Sequence, residues 1–101
     1  MPNKAHTATM NRIAQRYGVR PTLDGQFDIQ AEKFSIDVET SASLDKAVEK
    51  LRIQSGSVYI AVTNKEGIHL ALRKTEHTTI GVMDPQGAIV RNSSERPPGP
   101  D

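Results

Sequence analysis

The sequence has no cysteine and few aromatic residues, with two tyrosines, two phenylalanines and no tryptophan among 101 residues. Without cysteine the chain can form neither a disulfide framework nor a thiolate metal site, and a reducing compartment such as the cytoplasm is expected. So few aromatic side chains also argue against a surface that stacks the bases of a single nucleic-acid strand.

Long apolar runs and a strong net charge are missing as well. No apolar run approaches the ~20 residues that a helix needs to span a bilayer, and no hydrophobic region follows Lys4 as a secretory signal would require. We therefore expect no membrane association. Thirteen basic residues stand against twelve acidic ones, so any attraction to nucleic acid must come from a local patch.

The chain length suits one domain with one hydrophobic core. Apolar residues repeat first with helical spacing and then with the alternation of β-strands. This order predicts an α/β domain at residues 1–91, in which a mixed β-sheet carries helices on both faces, and a disordered proline-rich tail at residues 92–101. The predicted elements are a helix at about 5–17, strands at about 27–31 and 34–39, a helix that Ser43 caps and that stops at Gly56, a buried strand at 57–63, a helix capped by Asn64 to about 74, and strands at about 78–84 and 88–91.

The two alternating strands at 27–31 and 34–39 form a predicted hairpin with acids on its polar face. A two-residue loop places Asp28 directly opposite Asp37, with Glu39 on the same face. Cross-strand Cβ atoms lie about 5 Å apart, and like charges at that distance are destabilising unless a proton or a cation intervenes. Asp37→Asn is then expected to stabilise the metal-free domain. The alternative interpretation is an ordinary solvated strand face, where acids are common.

Three segments carry a resemblance to a known superfamily: Phe27-Asp28-Ile29, then Ile36-Asp37-Val38-Glu39-Thr40-Ser41 leading into a helix, then the strand Val58-Tyr59-Ile60-Ala61-Val62. Together they resemble the restriction-endonuclease-like core of the PD-(D/E)XK nucleases, over residues 5 to about 91. The resemblance implies that Asp28, Asp37 and Glu39 bind Mg²⁺ or Mn²⁺ and form the catalytic set. Glu39 occupies the position at which the superfamily usually has lysine, a departure that a minority of type II restriction enzymes similarly show.

Basic and polar side chains on two predicted helices are candidates for binding nucleic acid. Lys46, Lys50 and Gln54 follow one another at i, i+4 and i+8, so they form a polar stripe that could reach the scissile phosphate or the DNA backbone. His6 and Arg12 lie on the polar side of the first helix. The same residues also suit a solvated helix surface.

The serines before the second helix are interpreted separately. Ser41 and Ser43 precede the helix that starts near residue 44 and are assigned as helix caps rather than nucleophiles.

Two functions are compatible with this sequence. The first is a metal-dependent nuclease that cleaves phosphodiester bonds, with DNA as the expected substrate and a homodimer needed to span both strands. The second is a non-catalytic nucleic-acid or protein interaction module with a nuclease-like fold, which glutamate at the lysine position favours. The sequence does not decide between an active enzyme and a binding module.

Overall fold

The computed structural model describes residues 4–22, 27–54 and 56–94. Within them the chain forms three α-helices and a five-stranded mixed sheet, which makes it a small α/β domain. None of the helices in these ranges is long and apolar enough to cross a membrane. The elements are α1 (Lys4–Arg16), β1 (Ile29–Gln30), β2 (Ser35–Glu39), a 3₁₀ turn (Ser41–Ser43), α2 (Leu44–Leu51), β3 (Val58–Val62), α3 (Glu66–Lys74), β4 (Gly81–Met83) and β5 (Ile89–Arg91).

The strands lie in the order β1-β2-β3-β4-β5. The three inner strands are parallel, and an antiparallel strand flanks them on each side. All five residues of β3 are buried, because β3 has a strand on each side and helices over both faces. The predicted mixed sheet, the central strand and the parallel pairing of β2 with β3 are confirmed.

Alternate residues of β3 belong to two separate hydrophobic clusters. Tyr59 and Ala61 pack in the cluster that contains α1, whereas Val58, Ile60 and Val62 pack in the cluster that contains α2 and α3. Strand side chains point alternately to opposite faces of a sheet. Helices therefore cover both faces, as the sequence predicts, and the structure places α1 on one face and α2 and α3 on the other.

The hairpin of β1 and β2 has the predicted register. Ile29 pairs with Ile36, and Gln30 pairs with Ser35. The backbone N–H of Ala31 donates to the carbonyl of Phe34 at 2.9 Å, which leaves a two-residue turn. This register brings Asp28 beside Asp37.

Helix α1 is attached to the turn between β4 and β5. Arg12 Nη1 donates to the carbonyl of Pro85 at 2.9 Å, Arg16 Nη1 donates to the carbonyl of Gln86 at 3.0 Å, and the Tyr17 hydroxyl donates to a carbonyl of the same turn at 2.6 Å. These bonds fix the end of α1 opposite His6. Arg12, a predicted nucleic-acid contact, thus has a structural role in docking α1.

The last described residues pack against the sheet. Ser93 Oγ donates to the carbonyl of Thr79 at 2.7 Å and accepts from the backbone N–H of Val58 at 3.2 Å. The backbone N–H of Ser94 donates to the same Thr79 carbonyl at 3.1 Å. Both serines belong to the predicted disordered tail, but the described fold extends to Ser94. Residues 95–101 of the predicted tail lie outside the described residues.

Candidate active site

The first two acids meet at the open end of the β1–β2 hairpin. The backbone N–H of Asp28 donates to Oδ1 of Asp37 at 3.1 Å, and the backbone N–H of Val38 donates to Oδ2 of Asp28 at 2.9 Å. Each carboxylate therefore satisfies a main-chain donor of the neighbouring strand. Asp37 is only 3% exposed, so its charge is largely removed from water.

A lysine from α2 lies against the buried carboxylate. Lys50 Nζ lies 2.7 Å from Oδ2 of Asp37, and the lysine side chain is 39% exposed whereas that of Asp37 is 4% exposed. The same ammonium lies 5.4 Å from the centre of the Phe27 ring, within the range of a cation–π interaction. Lys50 is predicted to reach the scissile phosphate or the DNA backbone, and in the structure its ammonium lies beside the acids.

The other acid of the hairpin contacts a histidine from α1. His6 Nε2 lies 3.1 Å from Oδ2 of Asp28. The imidazole is mostly covered, with 16% of the side chain exposed. Basic side chains from two helices thus approach the two aspartates. The expected repulsion between Asp28 and Asp37 is offset by these partners and by the main-chain donors.

Glu39 is the third acid and ends β2. Burial raises the pKa of its carboxyl group, and the nearby charges of Asp37 and Asp28 raise it further. A hydrogen bond from Ser43 and the proximity of His6 act in the opposite direction. Electrostatics therefore couple Glu39 to both aspartates. We refer to Asp28, Asp37 and Glu39 as the acid cluster.

Ser43 caps the 3₁₀ turn rather than α2, because its side chain accepts the backbone N–H of Thr40 in a capping box. It stands at the N-cap position of α2 but makes no side-chain cap hydrogen bond to that helix. Its hydroxyl instead donates to Oε2 of Glu39 at 2.6 Å. The 3₁₀ turn between β2 and α2 folds the chain back, so that Ser43 reaches a side chain four residues earlier. Ser41, the other predicted cap, is exposed.

The remaining predicted contacts do not form one continuous stripe. Lys46 is exposed on α2, but Lys50 turns toward Asp37. Gln54 lies beyond the end of α2, and its Nε2 donates to the carbonyl of Lys50 at 3.5 Å. Of the three, Lys46 is the one directed toward solvent.

The chemistry of the acid cluster suits a hard divalent cation, because Mg²⁺ prefers carboxylate oxygens and usually keeps several waters. Within residues 4–22, 27–54 and 56–94, however, no group of three histidine, aspartate or glutamate side chains has the arrangement of a formed metal site. Both oxygens of Asp37 and one of Asp28 already accept hydrogen bonds. Metal binding at the acid cluster would require these partners to give way.

Fold and site together define a small α/β domain with an acid cluster near one edge of its sheet. No protein-family model matches the chain, and comparison with curated proteins and with solved structures finds no significant match. The roles of the site residues therefore rest on their geometry and chemistry.

The ion pair of Lys50 predicts a specific loss of stability. Lys50→Met should destabilise the domain by about 1–3 kcal/mol, because it leaves the buried Asp37 carboxylate without its charged donor. Asp37→Asn should also destabilise rather than stabilise, since the asparagine amide cannot replace the carboxylate beside an ammonium. Urea denaturation measures both effects.

The control for this experiment is Lys46→Met, which removes an exposed lysine from the same helix. Combining Lys50→Met with Asp37→Asn should recover part of the loss, because the uncompensated charge is then gone. Equal urea midpoints for Lys50→Met and Lys46→Met would show that the ion pair contributes nothing to the stability of the domain.

The raised pKa of Glu39 predicts a pH-dependent stability. Because its pKa is raised above the ordinary value of 4.5, the Glu39 carboxyl group binds its proton more tightly in the folded state than in the unfolded state. This difference in proton binding adds to the free energy of unfolding below pH 4.5. The added stability is lost as pH rises through the raised pKa. Urea denaturation in EDTA measures the free energy of unfolding. As pH rises above 4.5, wild type should lose stability relative to Glu39→Gln.

Glu49→Gln is the matched variant, because it removes a carboxylate from the exposed side of α2, where the Glu49 side chain is 75% exposed. The quantity to compare is the pH dependence of the two variants. A Glu39→Gln difference that stays constant with pH, or shifts in favour of wild type, contradicts the assignment.

Proposed function

We propose that the acid cluster and Lys50 form the active site of a metal-dependent nuclease that cleaves phosphodiester bonds, with DNA as the expected substrate. The observation that carries the proposal is the 2.7 Å contact between Lys50 Nζ and Asp37 Oδ2. The superfamily that the sequence resembles combines two acids with a lysine, and here Glu39 occupies the lysine position. Lys50 supplies an ammonium to the same cluster from α2.

The acids have distinct roles in this proposal. Asp28, Asp37 and Glu39 provide the oxygen ligands for Mg²⁺ or Mn²⁺. A bound ion of this kind polarises a phosphate oxygen and lowers the pKa of a bound water. Glu39 is suited to accept a proton from the attacking water, since a carboxyl group with a raised pKa is a better base near neutral pH.

Lys50 would act through its charge. Its ammonium is partly exposed, so it can turn from Asp37 toward a phosphate that enters the site. A fixed cation beside the scissile phosphate stabilises the negative charge that develops in the transition state. The Phe27 ring limits the positions of the lysine side chain by contacting its ammonium.

A single copy of the acid cluster can cut one strand at a time. Cleavage of both strands of a duplex therefore requires a second copy, and a homodimer belongs to this proposal. A cytoplasmic location also belongs to it, because it rests on the lack of cysteine in the sequence.

The second candidate is a non-catalytic module that binds nucleic acid or protein. The observation that favours it is that, in the described ranges, no three acidic or histidine side chains are arranged as a formed metal site. In that case the contacts of Lys50 with Asp37 and of His6 with Asp28 serve to hold two helices to the hairpin.

A cleavage assay separates the two functions. Wild type is incubated with supercoiled plasmid, single-stranded DNA, branched DNA and RNA, in Mg²⁺, Mn²⁺ or EDTA. The nuclease proposal predicts cleavage that depends on the divalent ion and is abolished by Asp37→Asn. Lys50→Met should lower the rate by about 10²–10³-fold, the usual cost of removing one group that stabilises transition-state charge.

Lys46→Met is the control for the lysine variant, because it removes the same charge from a solvent-facing position on α2. It should weaken DNA affinity slightly and leave the cleavage rate unchanged. If none of the four substrates is cut in either metal, the nuclease proposal fails. Salt-sensitive binding without cleavage would then support the binding module.

A further inference from the structure

We infer that Ser43 is a positioning residue that orients Glu39 for the reaction, an inference that rests on the proposed function. Its hydroxyl lies 2.6 Å from Oε2 of Glu39. This distance is typical of a charge-assisted bond between a hydroxyl and a carboxylate. Glu39 is the last residue of β2, where the sheet alone does little to restrain its long side chain.

The other contacts of Ser43 determine the direction of its single hydroxyl hydrogen. The backbone N–H of Thr40 donates to Ser43 Oγ at 3.1 Å, which occupies a lone pair. The carbonyl and the hydroxyl of Thr40 both lie farther from Ser43 Oγ, at 3.2 Å, than the carboxylate of Glu39. A hydroxyl has one hydrogen to donate, and the shorter, charged acceptor receives it.

The hydroxyl of Ser43 therefore links the start of α2 to Glu39, the proposed base of the reaction. It makes no cap hydrogen bond to α2. In the capping box of the 3₁₀ turn its oxygen accepts from Thr40, which leaves the hydroxyl hydrogen for Glu39. The bond to Oε2 restricts the rotation of the Glu39 carboxylate. Ser43 thus acts on the reaction through Glu39 and has no contact with substrate in this assignment.

The test compares Ser43→Ala, Ser43→Thr and Ser41→Ala in the full chain. Ser41 is the matched control, because it belongs to the same 3₁₀ turn and is exposed. Loss of a group that orients a metal ligand typically costs 10–100-fold in activity or metal affinity. Ser43→Ala should lower kcat for Mg²⁺-dependent plasmid cleavage by about that factor, with KM for DNA unchanged. Ser43→Thr should restore most of kcat, and Ser41→Ala should match wild type.

A double-variant cycle distinguishes positioning from a general loss of structure. If Ser43 acts through Glu39, Ser43→Ala should cost nothing further in a Glu39→Gln background, because the two effects are not additive. Additive losses in the double variant would overturn the inference. It would also be overturned if Ser43→Ala raises KM as well as lowering kcat and Ser43→Thr restores neither.

The inference and the proposed function fail in different ways. Wild type and Ser43→Ala cleaving plasmid at equal rates would overturn the role of Ser43 and leave the nuclease proposal intact. A wild type that cleaves no substrate and binds no Mn²⁺ by calorimetry would overturn both.

Discussion

The buried carboxylate of Asp37 is the constraint on which the site depends. A charge removed from water carries a penalty of several kcal/mol unless partners compensate it. Here the compensation comes from two places, because the residue before β1 contributes the backbone N–H of Asp28 and α2 contributes the ammonium of Lys50. The Asp37 side chain therefore connects the hairpin to α2, the helix that crosses over to β3. Helix α1 joins the same arrangement through the contact of His6 with Asp28.

The contacts that allow these acids to be buried also compete with a metal ion. Lys50 and His6 lie beside the carboxylates that a divalent cation would use. The free energy gained on metal binding must exceed the free energy of those contacts. Metal affinity is therefore expected to depend on how readily the two basic side chains move away. The Lys50 side chain is 39% exposed, and in the proposed function its displaced ammonium would be available to a phosphate. The proposed active site would then exchange internal pairing for ligand binding.

The sheet and the hairpin could be predicted because local patterns determine them. A two-residue loop, together with alternating apolar residues, allows one register that buries Ile29 and Ile36 together, and this register brings Asp28 beside Asp37. The partner of Asp37 could not be predicted in the same way. Lys50 lies 13 residues further along, and its helical spacing with Lys46 is equally typical of a solvated surface. The packing of α2 on the sheet decides which lysine meets the acid. His6 depends likewise on α1, whose docking uses the turn at Pro85 some 73 residues from Arg12. For Ser43, position before a helix favours a cap, but a carboxylate four residues earlier is the stronger acceptor.

The most direct test of the central claim is to locate where a divalent ion binds. Titration of ¹⁵N-labelled protein with Mn²⁺ broadens the amide signals of residues close to the bound ion. If the acid cluster is a metal site, the signals of Asp28, Val38 and Glu39 should broaden first, and Asp37→Asn should suppress the effect. Broadening that is absent, that is uniform over the chain, or that persists in Asp37→Asn would contradict a metal-dependent role for these carboxylates.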